Sequence, residues 1–390
     1  MIFKKEIIDS STLKFAEIAR SLIHDGIKII SLGLGEPDFP TPGHIIEATY
    51  QAMISGFTRY SNPMGLIELR KKIAESLISS NNIQVNPDNI IITPGAKQAI
   101  LFALMSILQP GDEIINITPS YVSYNPCIKI AEPKSRIIEI PLNKLDLNVP
   151  IEEIKKVVTP KTKAILLNSP NNPTGKIFSY EEIEKIVDIA KKYKIYIISD
   201  EIYNLLNYSG EKTISPASFR GVEDLVIVIN GFSKAYSMTG WRIGYAVFPK
   251  KLRERFFKLQ QHINTNTCTF IQKGAIEAID GDKSHIKIYN AKLKERVLVI
   301  NNVLKLQNIV SFVLPKGGLF AFLNISKSGM NSNDFAIKLI EKEHIATTPG
   351  IAFGKDWDDY IRISLVTNKK NLYMGMKLIC KFVKSELKKH

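Results

Sequence analysis

Two basic side chains eight residues apart, Lys234 and Arg242, stand in the run Ser233-Lys234-Ala235-Tyr236-Ser237-Met238-Thr239-Gly240-Trp241-Arg242. The run follows Leu225-Val226-Ile227-Val228-Ile229, a continuous apolar stretch that predicts a fully buried strand. A lysine just beyond such a strand is poorly placed as a solvated charge. Its amine can form an imine, and an arginine near a tight Gly240-Trp241 turn can hold a phosphate. Together they meet the needs of a pyridoxal phosphate site. A solvated lysine in a lysine-rich chain is the competing reading of this segment alone.

Chemistry of this kind has to be positioned by several elements. Four more apolar runs precede the lysine segment: Asn89-Ile90-Ile91-Ile92-Thr93, Asp112-Glu113-Ile114-Ile115-Asn116-Ile117, Lys163-Ala164-Ile165-Leu166-Leu167-Asn168 and Lys194-Ile195-Tyr196-Ile197-Ile198-Ser199. Helical patterns lie between them, including Gln98 to Leu108 and Ser179 to Lys194, the latter opened by a Ser179/Glu182 capping box. Continuous rather than alternating apolar runs suit strands covered on both faces, which predicts a mostly parallel sheet flanked by helices. In such sheets ligands gather at the carboxyl ends of the strands. The residues found there are Thr93-Pro94-Gly95-Ala96-Lys97, Ser120-Tyr121, Asn168 through Asn172 to Gly175, Asp200-Glu201-Ile202-Tyr203 and Ser233-Lys234. They offer an amine, an acid, an amide, two phenols and a helix N-terminus suited to phosphate.

These pieces, with Gly35-Glu36-Pro37-Asp38, Tyr60-Ser61-Asn62-Pro63-Met64-Gly65, Pro173-Thr174-Gly175 and Arg362-Ile363-Ser364, fall in one order from about residue 30 to 365. In that order the chain resembles the class I and II aminotransferases of pyridoxal phosphate fold type I, aspartate aminotransferases among them. The resemblance implies a seven-stranded, mostly parallel sheet in a large domain, with a smaller α+β domain. It also implies Lys234 as the imine-forming lysine that moves a proton, and Asp200 as the partner of the pyridine nitrogen. By the same carry-over Asn172 and Tyr203 bond the 3′ oxygen, Tyr121 stacks on the ring, and Ser233, Arg242 and the Gly95-Ala96-Lys97 turn hold the phosphate. Tyr60 reaches the phosphate of a neighbouring subunit, so the site would be shared across a homodimer. Arg362 forks onto the substrate α-carboxylate, with Gly35 and Asn172 close to the substrate. Many relatives carry a serine three residues before the lysine, where this chain has Gly231. Lys97 has three open readings: a contact to a distal substrate carboxylate, proximity to the phosphate, or a side chain pointing to solvent.

Length and composition agree with a two-part enzyme. At 390 residues, 45% hydrophobic and 23% charged, the chain exceeds one small core. The expected division is 45–284 for the large domain, with 1–44 and 285–390 forming the small one. The formal charge of +14 comes from lysines scattered along helical stretches, including the tail from Lys384 to Lys389. With no basic arm and no aromatic ladder, nucleic acid is not an expected partner. No run reaches the length of a membrane span, and Met1-Ile2-Phe3-Lys4-Lys5-Glu6 lacks a signal-peptide core, so a cytoplasmic location is expected. Cys127, Cys268 and Cys380 are odd in number and far apart, which argues against a disulfide framework or a cysteine zinc site.

The sequence therefore predicts an aminotransferase moving an amino group between an L-amino acid and a 2-oxo acid such as 2-oxoglutarate. Aspartate is favoured as donor, then aromatic or other amino acids. A C–S β-lyase or a specialised biosynthetic aminotransferase would share the cofactor motifs. A non-catalytic cofactor-sensing regulator is disfavoured, because Gly35 to Asp38 begins too near Met1 to leave room for a DNA-binding domain.

Overall fold

The computed structural model describes residues 11–388, so the Met1–Glu6 segment and Lys389 lie outside the described residues. Its strands are β1 (Ile30–Ser31), β2 (Ile90–Thr93), β3 (Glu113–Thr118), β4 (Arg136–Pro141), β5 (Thr162–Asn168), β6 (Tyr196–Asp200), β7 (Val226–Gly231), β8 (Gly244–Val247), β9 (Ser311–Phe312), β10 (Phe320–Asn324), β11 (Ile345–Ala346), β12 (Thr348–Pro349) and β13 (Tyr360–Ser364).

A seven-stranded sheet runs in the order β2-β8-β7-β6-β5-β3-β4. All its pairings are parallel except those of β8, which is antiparallel to both β2 and β7. The α/β class and the mostly parallel sheet are as predicted. Alternate residues along one strand feed two different cores, which explains the continuous apolar runs. Ile197 and Val228 join the core that includes Ile183, Ile186 and Ala190 of the helix Tyr180–Tyr193. Ile198 and Ile227 join the opposite core, with Ala99 and Phe102 of the helix Ala96–Ile107 and Phe256 of the helix Arg253–Ile263. The capping box of Ser179 and Glu182 is present.

Two strands of this seven-stranded sheet escaped the sequence reading. β4 lies at the sheet edge with its side chains mostly half-exposed, and β8 has only four residues. Neither shows the long apolar run that marks a strand buried on both faces.

A second, four-stranded sheet has the order β12-β13-β10-β9 and is antiparallel throughout. It is built wholly from residues after 310; the helix Ser332–Glu343 packs against its strands β12 and β13, and the helices Ser284–Gln307 and Lys369–Leu387 pack on each other. β1 pairs in parallel with β11, and Ser364 N–H donates to Leu32 O at 2.7 Å, so the chain around residue 32 lies beside the end of β13. Among the described residues no helix is long and apolar enough to cross a membrane, and no group of three or more potential ligands could hold a metal ion. The three cysteines are free thiols.

Candidate active site

The carboxyl ends of β2, β3, β5, β6 and β7 surround one cavity of about 310 Å³. Its wall includes Ala96, Lys97, Tyr121, Asn172, Asp200, Tyr203, Ser233, Lys234 and Arg242, all of them predicted from the sequence.

Asp200 ends β6 and is 4% exposed. Burial pushes its carboxyl up to about 6, against the opposing pull of the Tyr124 hydroxyl, the Ile202 amide and the Lys234 charge. Tyr124 Oη donates to Asp200 Oδ2 at 2.7 Å, and Ile202 N–H donates to Oδ1 at 3.2 Å. The sequence reading missed Tyr124. It lies in the first turn of the helix Tyr124–Ala131 and looks like plain core until the fold brings it to Asp200. Glu201, the next residue, is also buried. It accepts from Ser199 Oγ at 2.9 Å and Ser215 Oγ at 2.5 Å, and burial pushes it up to about 7.

Lys234 Nζ donates to Gly35 O at 2.7 Å. Burial pulls its amine down to about 8, helped by the charges of Arg362 and Arg242 and opposed by Glu36 and Asp200. The amine is therefore not the solvated surface charge of the competing reading.

Gly95 precedes the helix Ala96–Ile107 with φ of 85°, and a Cβ there would lie 2.5 Å from Arg242 Nη2. The backbone amides of Ala96 and Lys97 fall in the helix's first turn, where N–H groups have no intrahelical acceptor. Arg242 donates to Thr239 O at 3.0 Å and Pro94 O at 3.3 Å, which aims its guanidinium at that turn. A side chain at Gly231 would meet Gly244 Cα at 2.9 Å in the neighbouring strand. A serine at that position therefore does not fit between β7 and β8, and Ser233 and Thr239 bring hydroxyls to the cavity instead.

Arg362 comes from the other sheet, on β13, and is 3% exposed. Its Nη1 donates to Asn172 Oδ1 at 3.2 Å, and Nη2 to Gly33 O at 2.7 Å and Thr348 Oγ1 at 3.2 Å. Its Nε has no hydrogen-bond partner among the described residues. Phe320 and Phe353 lie 4.0 and 5.1 Å from the guanidinium carbon, measured to their ring centroids. Lys97 is exposed, with Nζ 5.7 Å from the centroid of the Tyr121 ring. Tyr60 is not part of this cavity. It is 85% exposed and lines a separate cleft with Arg59, Arg70 and Thr269.

The family model described as aminotransferase class I and II matches residues 27–377. The chain belongs to the class I and II aminotransferases. It is 38% identical to the aspartate aminotransferase of Pyrococcus abyssi, over 89% of this chain and 90% of that protein. It is 36% identical to aromatic-amino-acid aminotransferase 2 of Thermococcus litoralis, over 92% of each chain. Its fold superposes on the crystal structure of the Thermotoga maritima aspartate aminotransferase with a TM-score of 0.91 and 35% identity, covering 98% of this chain and 99% of that one. The chain is a transaminase by family, and its cavity is built at the strand ends that the family motifs occupy.

In the cofactor-free aminotransferase, Lys234 should be far more reactive than a surface lysine at neutral pH. Trinitrobenzenesulfonate labelling of Lys234, located by peptide mass, is expected to rise with a midpoint near about 8. A midpoint at the ordinary lysine value, roughly 10.4, would overturn the burial argument.

Proposed function

We propose that this chain is a pyridoxal 5′-phosphate-dependent aminotransferase moving an amino group between an L-amino acid and a 2-oxo acid such as 2-oxoglutarate, with aspartate favoured as donor and aromatic or other amino acids next. One observation carries the reading: Lys234, Asp200, Asn172, Tyr203, Tyr121 and the Ala96-Lys97 turn line a single cavity. The names of the Pyrococcus and Thermococcus relatives support the order of donors.

The residues present fit the cofactor. The Ala96 and Lys97 amides, Ser233 and Arg242 form an anion cradle in which Gly95 leaves room for the guanidinium. Asp200 is a buried acid for the pyridine nitrogen, held towards its ionised form by Tyr124 and Ile202. Asn172 and Tyr203 supply polar groups for the 3′ oxygen, and Tyr121 supplies an aromatic face. When bound, pyridoxal phosphate supplies an electron-accepting ring that stabilises negative charge at the amino acid Cα.

The protein's own work is orientation and proton movement. Lys234 would hold the cofactor through Nζ, and its amine, once free, takes up and returns a proton at Nζ. An amine lowered to about 8 shares that proton more evenly at neutral pH than an ordinary lysine does. Arg362 would receive the substrate α-carboxylate in a planar fork that lysine cannot copy, and its unpartnered Nε is a donor in reserve. Lys97 has no carboxylate partner among the described residues and stands at the cavity wall, which supports the distal-carboxylate reading. We also read the enzyme as a homodimer in which Tyr60 serves the neighbour's site. Its exposure, and the exposed Ile46, Tyr50, Met53, Ile54 and Ile67, support that reading.

Purified protein with pyridoxal phosphate, aspartate and 2-oxoglutarate should form glutamate. Lys234→Ala should lower that rate by about ten-thousandfold. Absence of glutamate with every standard donor sinks the proposal, and pyruvate with ammonia from cystathionine would select the C–S lyase instead. Tyr124→Phe tests the tuning of Asp200. The Tyr124 hydroxyl favours the carboxylate, so its loss raises the Asp200 pKa and should move the acid limb of activity up by roughly one pH unit. Mixing Lys234→Ala with Tyr60→Ala chains tests the shared site. Random pairing leaves about a quarter of sites native and should regain about that share of activity, whereas no recovery refutes the role given to Tyr60.

A further inference from the structure

The segment from Gly35 to Thr41 is tied to three parts of the molecule. At one end Gly35 O accepts Lys234 Nζ at 2.7 Å. Glu36 accepts a hydrogen bond from Thr239 Oγ1, and Thr41 Oγ1 donates to Ser237 O at 2.6 Å, so the segment lies along the turn that follows Lys234. Its middle is gripped by the helix Ser284–Gln307. Arg296 Nη1 and Nη2 donate to Asp38 Oδ1 and Oδ2 at 2.9 and 2.6 Å, a two-bond fork. Phe39 stacks on Tyr289 with ring centroids 3.9 Å apart and planes 9° from parallel. Tyr289 Oη donates to Pro40 O at 3.1 Å, and Lys292 Nζ lies 5.0 Å from the centroid of the Phe39 ring. Tyr289, Lys292 and Arg296 are spaced to share one helix face.

Arg296 makes one further bond, from Nη1 to Leu365 O at 3.0 Å, just beyond the end of β13. It is 6% exposed, so the fork is held by a buried guanidinium with little freedom to move. Residues 35–41 thus run as a strap from the helix and the β13 end to the Lys234 amine.

We propose that the Asp38–Arg296 fork, with the Phe39–Tyr289 stack, is a positioning device that holds the Gly35 carbonyl on Lys234 Nζ and gives the ammonium form of that amine its resting acceptor. The proposal rests on Lys234 being the reacting amine. Four charged groups face Lys234: Arg362 from β13, Arg242 from its own turn, Asp200 from the end of β6 and Glu36 from the strap. The two arginines disfavour the ammonium and the two carboxylates favour it. Beside these opposing charges, a neutral carbonyl at 2.7 Å accepts from either form of the amine but holds the ammonium more strongly, because that hydrogen bond is charge-assisted. Releasing the strap removes the acceptor, so the charged form loses support and the amine titrates at a lower pH. It also frees Nζ to wander from the line on which a proton must travel, which costs turnover more than substrate affinity. Arg296, Asp38 and Tyr289 are positioning residues, since they act through Gly35.

The test uses the full-length chain with Arg296→Met, Arg296→Lys and Asp38→Asn. In cofactor-free protein, the pH midpoint of Lys234 labelling by trinitrobenzenesulfonate should fall by about half a pH unit or more in Arg296→Met and Asp38→Asn. With cofactor added, kcat should fall about tenfold while KM for the amino acid stays within about threefold. Arg296→Lys keeps the charge without the fork and should lie between these and the parent. An unmoved midpoint in folded Arg296→Met overturns the proposal, as does equal loss in kcat and KM with no change in midpoint. Should Arg296→Met not fold, Tyr289→Phe keeps the stack, removes the bond to Pro40, and is read by the same midpoint. Borohydride reduction of the parent with pyridoxal phosphate, followed by peptide mass, separates the two levels. A tag on another lysine refutes the reacting-amine assignment, whereas a tag on Lys234 with unmoved midpoints refutes the strap alone.

Discussion

Parallel strands end on the same edge, and the site depends on that constraint. In the registered rows of the large sheet, Asn168 of β5 stands opposite Asp200 of β6, which stands opposite Ile229 of β7. Whatever follows these residues must therefore emerge side by side. Asn172, Tyr203 and Lys234 come together because each lies only a few residues beyond its strand. The antiparallel β8 obeys the same geometry in reverse. It begins where its neighbours finish, so Arg242, just before it, arrives at the same edge as Gly95.

Gathering these groups places charges out of water, which is unfavourable unless each finds a partner. Asp200 is met by the Tyr124 hydroxyl and the Ile202 amide, and still sits at about 6 because desolvation outweighs both. Lys234 has one carbonyl and is lowered to about 8. Arg362 has an amide oxygen, a carbonyl and a hydroxyl, with burial pulling it down to about 10, so it stays ionised at neutral pH. The cavity thus holds a base and an acid whose pKa values have been drawn towards each other. That arrangement suits proton transfer near neutrality better than the ordinary values would.

Two contributions to the site come from outside the large sheet. β13 carries Arg362 in from the antiparallel sheet, and Gly35 arrives on the segment that leaves β1. One backbone and one side-chain hydrogen bond join them, since Ser364 N–H donates to Leu32 O and Arg362 Nη2 donates to Gly33 O. Arg362 and the carbonyl partner of Lys234 are therefore mechanically connected. A change in either sheet's position relative to the other would be felt by both.

Much of this was legible in the chain itself. Local apolar runs, turn residues and the Ser179/Glu182 box specify strands and helices within a few residues, because burial on both faces and capping are short-range demands. The types and order of Lys234, Asp200, Asn172, Tyr203 and Arg362 specify the family. What remained invisible was partnership across long stretches of sequence. Tyr124 on Asp200, Gly35 on Lys234 and Asp38 on Arg296 join residues 76, 199 and 258 positions apart. The edge strand β4 and the short β8 also lacked an apolar signature, as did the reason for Gly231, which only the approach of Gly244 explains. The sequence by itself determined which chemical groups stand at the strand ends and the class of reaction they serve. The tertiary structure decided how strongly each group is desolvated and by whom it is held, because pKa values and orientation depend on neighbours that chain order does not name.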